Sequence, residues 1–380
     1  MRLSVYVHFP YCERRCPYCD FATIAAERGT IPHEAYADAV IAELKARSGA
    51  LKGTQLHSIF FGGGTPSLWE SESMGRVIEG ITRQFGAEPA EVEVTAECNP
   101  SSLDRKKAQE LRAAGVNRLS IGVQSLNDER LRFLGRLHDA EGAKRALEGA
   151  RTEFERVSAD MIFAAADQSE EELLGELEEL LAFDLEHLSL YALTIEEGTP
   201  FFERLKRGKL PMASDERYAR LFLEAEARLL GAGYRHYEIS NYARAGAESA
   251  HNLHYWRGGA YLGLGAAAVG CLPLANHRAI RRKNRVAPSE YLNEPAGAPE
   301  EIEELEPLDR LNEAIMLGLR LEDGLSLSEV RERTGLNLLE VKRRAIERRI
   351  ERGDLLLEDD RLRVPRQRWL GLDSIVVDLF

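Results

Sequence analysis

The sequence has 380 residues, 44% of them hydrophobic and 30% charged, and a net charge of −13. That length suffices for two domains at roughly 150 residues each, and the composition is that of an ordinary folded protein rather than a disordered or fibrous one. The acidic balance argues against a nucleic-acid footprint, which needs an excess of Lys and Arg on at least one face.

The segment Met1–Val7 is too short for the apolar core of a signal peptide, and His8, Pro10 and Cys12 interrupt it at once. No apolar run approaches the ~18 residues of a membrane helix. A cytoplasmic location is therefore expected. Short β-branched and aromatic runs predict strands at Leu3–Phe9, Ser58–Phe61, Glu91–Ala96, Arg118–Val123, Val157–Phe163 and His187–Leu193. Segments of helical periodicity lie between and after them: Ala35–Ala46, Met74–Phe85, Leu103–Ala113, Ala143–Ala150, Glu171–Leu181 and Arg217–Leu230. Strand and helix alternating six times predict an α/β fold, an open parallel (β/α)6 barrel over residues 1–233 with ligands at the C-terminal strand ends.

Beyond Gly233 an aromatic and Gly-rich extension is expected over 234–294, and the Pro/Glu-rich passage Pro295–Pro307 reads as a linker. Residues 295–380 then predict a small α+β, winged-helix-like domain: helices Leu308–Leu319, Ser326–Thr334 and Leu339–Arg352, a hairpin at Leu355–Val364 and an apolar end at Trp369–Phe380. Its basic run, Lys342-Arg343-Arg344 with Arg348-Arg349, suits either DNA or a solvated helix face. Interleaved Glu340, Glu347 and Glu351 favour the solvated face.

Polar motifs fall at the strand ends, where such a barrel does its chemistry. Cys12-x3-Cys16-x2-Cys19 follows the first strand, Gly62-Gly63-Gly64-Thr65-Pro66 the second, Glu97 the third and Gln124 the fourth, while Asp160 lies within the fifth. Three thiolates this close suit the soft iron of an iron–sulfur cluster, and a three-ligand set leaves one iron open. Structural zinc, with Cys98 or a His as fourth ligand, and inert buried thiols are the competing readings. Arg14 and Arg15 are expected to favour the thiolate forms. The glycines let backbone approach a ligand closely and aim N–H groups at it.

This set of motifs resembles the radical SAM superfamily. Tyr6-x-His8-Phe9-Pro10-x-Cys12, Gly122-Val123-Gln124-Ser125 and Leu134-Gly135-Arg136-x-His138 are similar to the branch containing oxygen-independent coproporphyrinogen III oxidase. The resemblance covers nearly the whole chain and implies a partial TIM barrel of radical SAM type. It also implies a [4Fe–4S] cluster on Cys12, Cys16 and Cys19 and S-adenosylmethionine (SAM) on the open iron. Carried over by position, Gly63, Gly64 and Thr65 contact SAM, with Tyr6 and Tyr18 packed near cluster and ligand. Arg136 pairs with the methionyl carboxylate, Gln124 and Asp160 hold the ribose, and Glu97 lies near the amino group or ribose. The chain departs from the family after its fifth strand, where Ala164-Ala165-Ala166 replaces the usual Gly-Leu-Pro and predicts a looser turn.

Two features separate enzyme from binding protein. The oxidase has a further cysteine where this chain has Phe21, and a longer extension before its cluster motif, whereas five residues precede Tyr6 here. His251-Asn252-Leu253-His254-Tyr255-Trp256 matches the His-Asn-x-x-Tyr-Trp signature of the oxidase-like heme chaperones, HemW. The resemblance thus implies heme on His251, with Tyr255 and Trp256 stacked on the porphyrin and His254 as a spare ligand. Read without the family, the same residues make a buried histidine among aromatic neighbours at a domain junction. Heme-accepting apo-proteins, among them respiratory ones met at the membrane surface, follow as partners, as does a homodimer; nucleic acid does not. Coproporphyrinogen decarboxylation is the alternative function, and RNA modification a third.

Overall fold

Along the first strand Leu3, Val5, Val7 and Phe9 alternate with Ser4, Tyr6 and His8, so one face is apolar and the other polar. In the computed structural model the apolar set is fully buried in the main core. The structure describes residues 1–380 except Lys52, Ala166 and the side chain of Ala50. Six strands and their helices follow the expected alternation. The strands are β1 (Arg2–Phe9), β2 (Gln55–Gly63), β3 (Glu93–Cys98), β4 (Arg118–Gln124), β5 (Arg156–Phe163) and β6 (His187–Ala192). The principal covering helices are His33–Arg47, Ser71–Phe85, Arg105–Ala113, Ala140–Glu153, Glu170–Leu181 and Asp215–Gly231.

The sheet does not stop at six strands. The hairpin β7 (Arg235–Glu238) and β8 (Asn241–Ala243) adds to the edge beyond β6. At the other edge β9 (Ala260–Leu264) lies parallel to β1. Antiparallel strands β10 (Val269–Pro273), β11 (Ala279–Lys283) and β12 (Glu301–Leu305) continue outward from it. The order is β12-β11-β10-β9-β1-β2-β3-β4-β5-β6-β8-β7, an open sheet in which β9 joins β1–β6 in the parallel set. Tyr234, Tyr242, Leu262, Leu264 and Tyr291 belong to the same core as the barrel helices. The passage expected as a linker instead supplies β12. Its glutamates pair with cations of β11 and of the residue just before it, with Arg281–Glu303 at 2.8 Å and Arg278–Glu304 at 3.2 Å.

The second core gathers Leu311, Ile315, Leu338, Ile346, Leu362, Trp369, Ile375 and Val376. Helices Pro307–Gly318, Leu327–Thr334 and Arg343–Glu351 surround a small three-stranded sheet of Leu325–Ser326, Leu356–Glu358 and Arg361–Arg363, the winged-helix-like arrangement. Arg348 and Arg349 of the basic run both pair with Asp378 of the C-terminal segment. No helix among the described residues is long and apolar enough to cross a membrane.

Barrels of this kind usually fill their interior with branched apolar side chains. Here the alternation puts Ser4, Tyr6, Ser58, Thr95, Glu97, Arg118, Ser120, Ser158, Asp160, His187 and Ser189 on the interior registers of β1–β6. That polar lining leaves a chamber in place of a packed core.

Candidate functional site

The cysteine loop leaves the top of β1. Tyr11–Cys12 pairs in parallel with Ile24–Ala25, which closes the loop between them. Phe9 stacks on Trp69 with centroids 4.9 Å apart, and Tyr11 and Tyr36 complete an aromatic bed beneath it. Cys12, Cys16 and Cys19 are free and partly exposed at the chamber mouth. Burial pushes the Cys12 thiol up, partly offset by Thr65 and Arg136, and pushes Cys19 to about 11. Arg14 and Arg15 do not play the expected part: their guanidiniums donate to the carbonyls of Gly135, Arg136 and Cys19. The cation at the sulfurs is Arg136, whose Nη1 lies 3.5 Å from Cys16 Sγ.

The glycine run ends β2 with its N–H groups already used. Gly63 donates to Glu97, Gly64 to the Phe9 carbonyl and Thr65 to the Tyr11 carbonyl. Its purpose is close approach rather than donation. Gly63 has φ 102°, and a Cβ there would sit 2.4 Å from the His8 ring; one on Gly64 would sit 2.7 Å from the Phe9 and Tyr11 carbonyls. Deeper in, burial and the neighbouring Asp160 push Glu97 up to about 8, so it carries a proton at neutral pH. Asp160 accepts from Ser120 at 2.9 Å and Ser158 at 3.3 Å. Gln124 takes a left-handed φ of 66°, uncommon outside glycine and concentrated at binding sites. Its Oε1 and the Arg136 Nε are buried without hydrogen-bond partners, the signature of groups awaiting a ligand.

His251 enters from the opposite end. It lies on helix α1 (Ala250–Trp256), which closes the N-terminal mouth of the barrel and is capped by Ser249. Glu93 accepts the N–H groups of Ala250 and His251 at 3.1 and 3.0 Å and pairs with Arg156. The His251 Nδ1 lies 2.9 Å from Ser58 Oγ, which contacts Ser4 Oγ at 2.8 Å. Burial lowers its pKa to about 3, so the imidazole is neutral. Tyr255 and Trp256 are not arranged as expected. They pack edge-on to each other and, with Tyr261, lie outside the chamber, while His254 bonds the Ala260 carbonyl. Of the motif only His251 and Asn252 line the cavity.

Tyr6, Cys12, Cys16, Tyr18, Cys19, Gly63, Gly64, Thr65, Glu97, Gln124, Arg136, Asp160 and His251 thus line one cavity of about 690 Å³. Arg118, His187 and Tyr191 share it and were not singled out from the sequence. Their signal was the strand alternation itself, which puts them on the same face as Asp160. Within the departure after β5, Ala164 donates its N–H to Gln168 at 2.8 Å and Ala165 bridges to Met212. Ala166 lies outside the described residues. Ala164 has φ 64°, which explains the glycine that the family usually carries there. Ala164→Gly is expected to raise stability by about 0.5–1 kcal/mol in urea unfolding; a loss of stability would show that the alanine side chain matters more than the strain.

Three free thiols at one cavity are a donor set that suits a cluster with one open iron. Cys98 is buried, contacts the Ala96 carbonyl and is pushed by burial to about 12, an unsuitable fourth ligand. Residues 6–180 match the Radical SAM superfamily and residues 305–370 the HemN C-terminal domain. Heme chaperone HemW of Haemophilus influenzae is 35% identical over 350 residues, which span 90% of this chain and 88% of that protein. The chain belongs to the HemW family of radical SAM proteins. The mouse protein named radical S-adenosyl methionine domain-containing protein 1, mitochondrial, is 37% identical over 392 residues, covering 100% of this chain and 87% of its own. The solved structure of Escherichia coli coproporphyrinogen III oxidase (HemN), at 21% identity, superposes with a TM-score of 0.81 over 99% of this chain and 89% of that one, and so shares the fold.

Proposed function

We propose that the protein binds heme and passes it to apo-hemoproteins in the cytoplasm, with a [4Fe–4S] cluster on Cys12, Cys16 and Cys19 and SAM beside it. The observation that carries this reading is the His251 imidazole, neutral and facing the chamber that the three thiols border. With Nδ1–H donated to Ser58 Oγ, the Nε2 lone pair is free for heme iron, and the Ser58–Ser4 pair fixes the ring. Arg136 and Gln124, each with an orphaned buried atom, supply the polar grip on SAM, and Asp160 an acceptor for its ribose. A bound cluster, once reduced by an external electron donor, would supply an electron to the sulfonium, and the partly enclosed chamber would limit water around it. The exposed Phe21, in place of the oxidase cysteine, favours a carrier over the oxidase.

Heme titration followed by the Soret band tests the reading. His251→Ala is expected to bind at least about tenfold more weakly than the unaltered chain, as loss of an axial ligand demands. Equal affinities would remove His251 from the site. Anaerobic incubation of cluster-loaded protein with SAM, reductant and coproporphyrinogen III should yield no protoporphyrinogen; turnover to that product would establish the oxidase instead.

A further inference from the structure

Arg118 is 2% exposed and lines the chamber. Its field is felt by Glu93, Glu97, Asp160 and His187, yet among the described residues its guanidinium has no hydrogen-bond or ion-pair partner. The neighbouring groups are committed elsewhere. Glu93 holds Arg156 and the backbone of Ala250 and His251. Asp160 is held by Ser120 and Ser158, and Glu97 by the Gly63 N–H. Both His187 nitrogens are taken, at 2.8 Å by Ser158 and at 2.8 Å by Tyr237. The guanidinium nitrogens are absent from the buried, unpartnered polar atoms and so open onto the chamber, where a bound anion can receive their five donors.

We infer that Arg118, with Asn252 lining the same cavity, forms a carboxylate-binding subsite at the inner end of the chamber. The planar fork matches a carboxylate in bidentate fashion. A dianionic phosphate is disfavoured because Glu93 and Asp160 stand close by. The subsite goes beyond the heme reading and does not depend on it. The carboxylate belongs either to a porphyrin propionate or to a small free acid, and Arg118 recognises the same group in both.

Two titrations test it, on the full-length chain. In protein labelled with 15N-arginine, sodium propionate is expected to shift the Arg118 Nε–H resonance saturably, that resonance being assigned by its disappearance in Arg118→Lys. Separately, heme is expected to bind at least about tenfold more tightly than heme dimethyl ester, and Arg118→Gln to lose that preference. Arg118→Lys keeps a charge opposite Glu93 and serves as the folded comparison should Arg118→Gln be unstable. A propionate shift without discrimination between heme and its ester supports the subsite and assigns it to free acids. Discrimination lost in the Arg118 variants without a propionate shift supports it and assigns it to porphyrin. The absence of both effects, or a preference that survives in both variants, overturns it. If neither porphyrin binds, the heme reading fails, and the propionate titration alone decides the subsite.

Discussion

Cys16→Ala is expected to lose its iron–sulfur cluster altogether rather than hold it weakly. Cys12, Cys16 and Cys19 are the whole thiol set at the chamber mouth apart from Cys98. Cys98 cannot substitute, being buried in β3 with its thiol pushed up to about 12 and directed at the Ala96 carbonyl. The two sulfurs left in the variant would have to displace two thiol protons that burial already holds in place. Iron and sulfide content after anaerobic reconstitution should fall to background, and the visible absorbance and its response to SAM should vanish with them. Cys98→Ala should retain all three. Iron retained in Cys16→Ala, or zinc in the unaltered chain, would refute the cluster assignment.

The barrel was legible because its strands carry two messages at once. In β1 the outward set Leu3, Val5, Val7 and Phe9 alternates with polar residues, and in β2 the run Ser58–Phe61 reads as strand from its β-branched and aromatic residues. The elements that escaped lack a local signal. Ala260–Leu264 is half glycine and alanine with its neighbours, and becomes β9 only because β1 offers an unpaired parallel edge. Glu301–Leu305 looks like solvated linker until the cations of β11 stand opposite it.

The same division holds at the site. The cysteines, the glycine run and Gln124 are motifs at strand ends, and Arg136 belongs to a contiguous motif after the helix Asp128–Phe133, so each could be found one by one. Arg118 and His187 sit at the first positions of β4 and β6 and are visible only as members of a polar inner face that runs across six strands. The motif His251–Trp256 was recognisable as a string. That its histidine and its aromatic pair lie in different surroundings depends on how α1 crosses the barrel floor, which no spacing rule encodes.

Helix α1 is held to that floor by one carboxylate, and Glu93→Gln is expected to cost about 3 kcal/mol at neutral pH, as when one partner of a buried ion pair is removed. Burial works to raise the Glu93 pKa, but Arg118, Arg156 and the N–H groups of His251 and Ala250 together outweigh it and hold the carboxyl below its ordinary range. The sign follows from linkage. A folded pKa below the unfolded ~4.3 contributes stability that is fully present above that value and is lost as pH falls through the folded pKa. The difference between the two proteins should therefore be constant from pH ~7 down to ~5 and narrow below ~4, where the unaltered chain becomes protonated as well. Urea unfolding across that range measures it. The variant should also bind heme less tightly, because the amide of glutamine accepts less strongly from the His251 backbone and leaves Arg156 without its anionic partner. A cost below about 1 kcal/mol at pH ~7, or a difference that does not narrow on acidification, would mean that α1 is anchored by its packing on β2 rather than by charge.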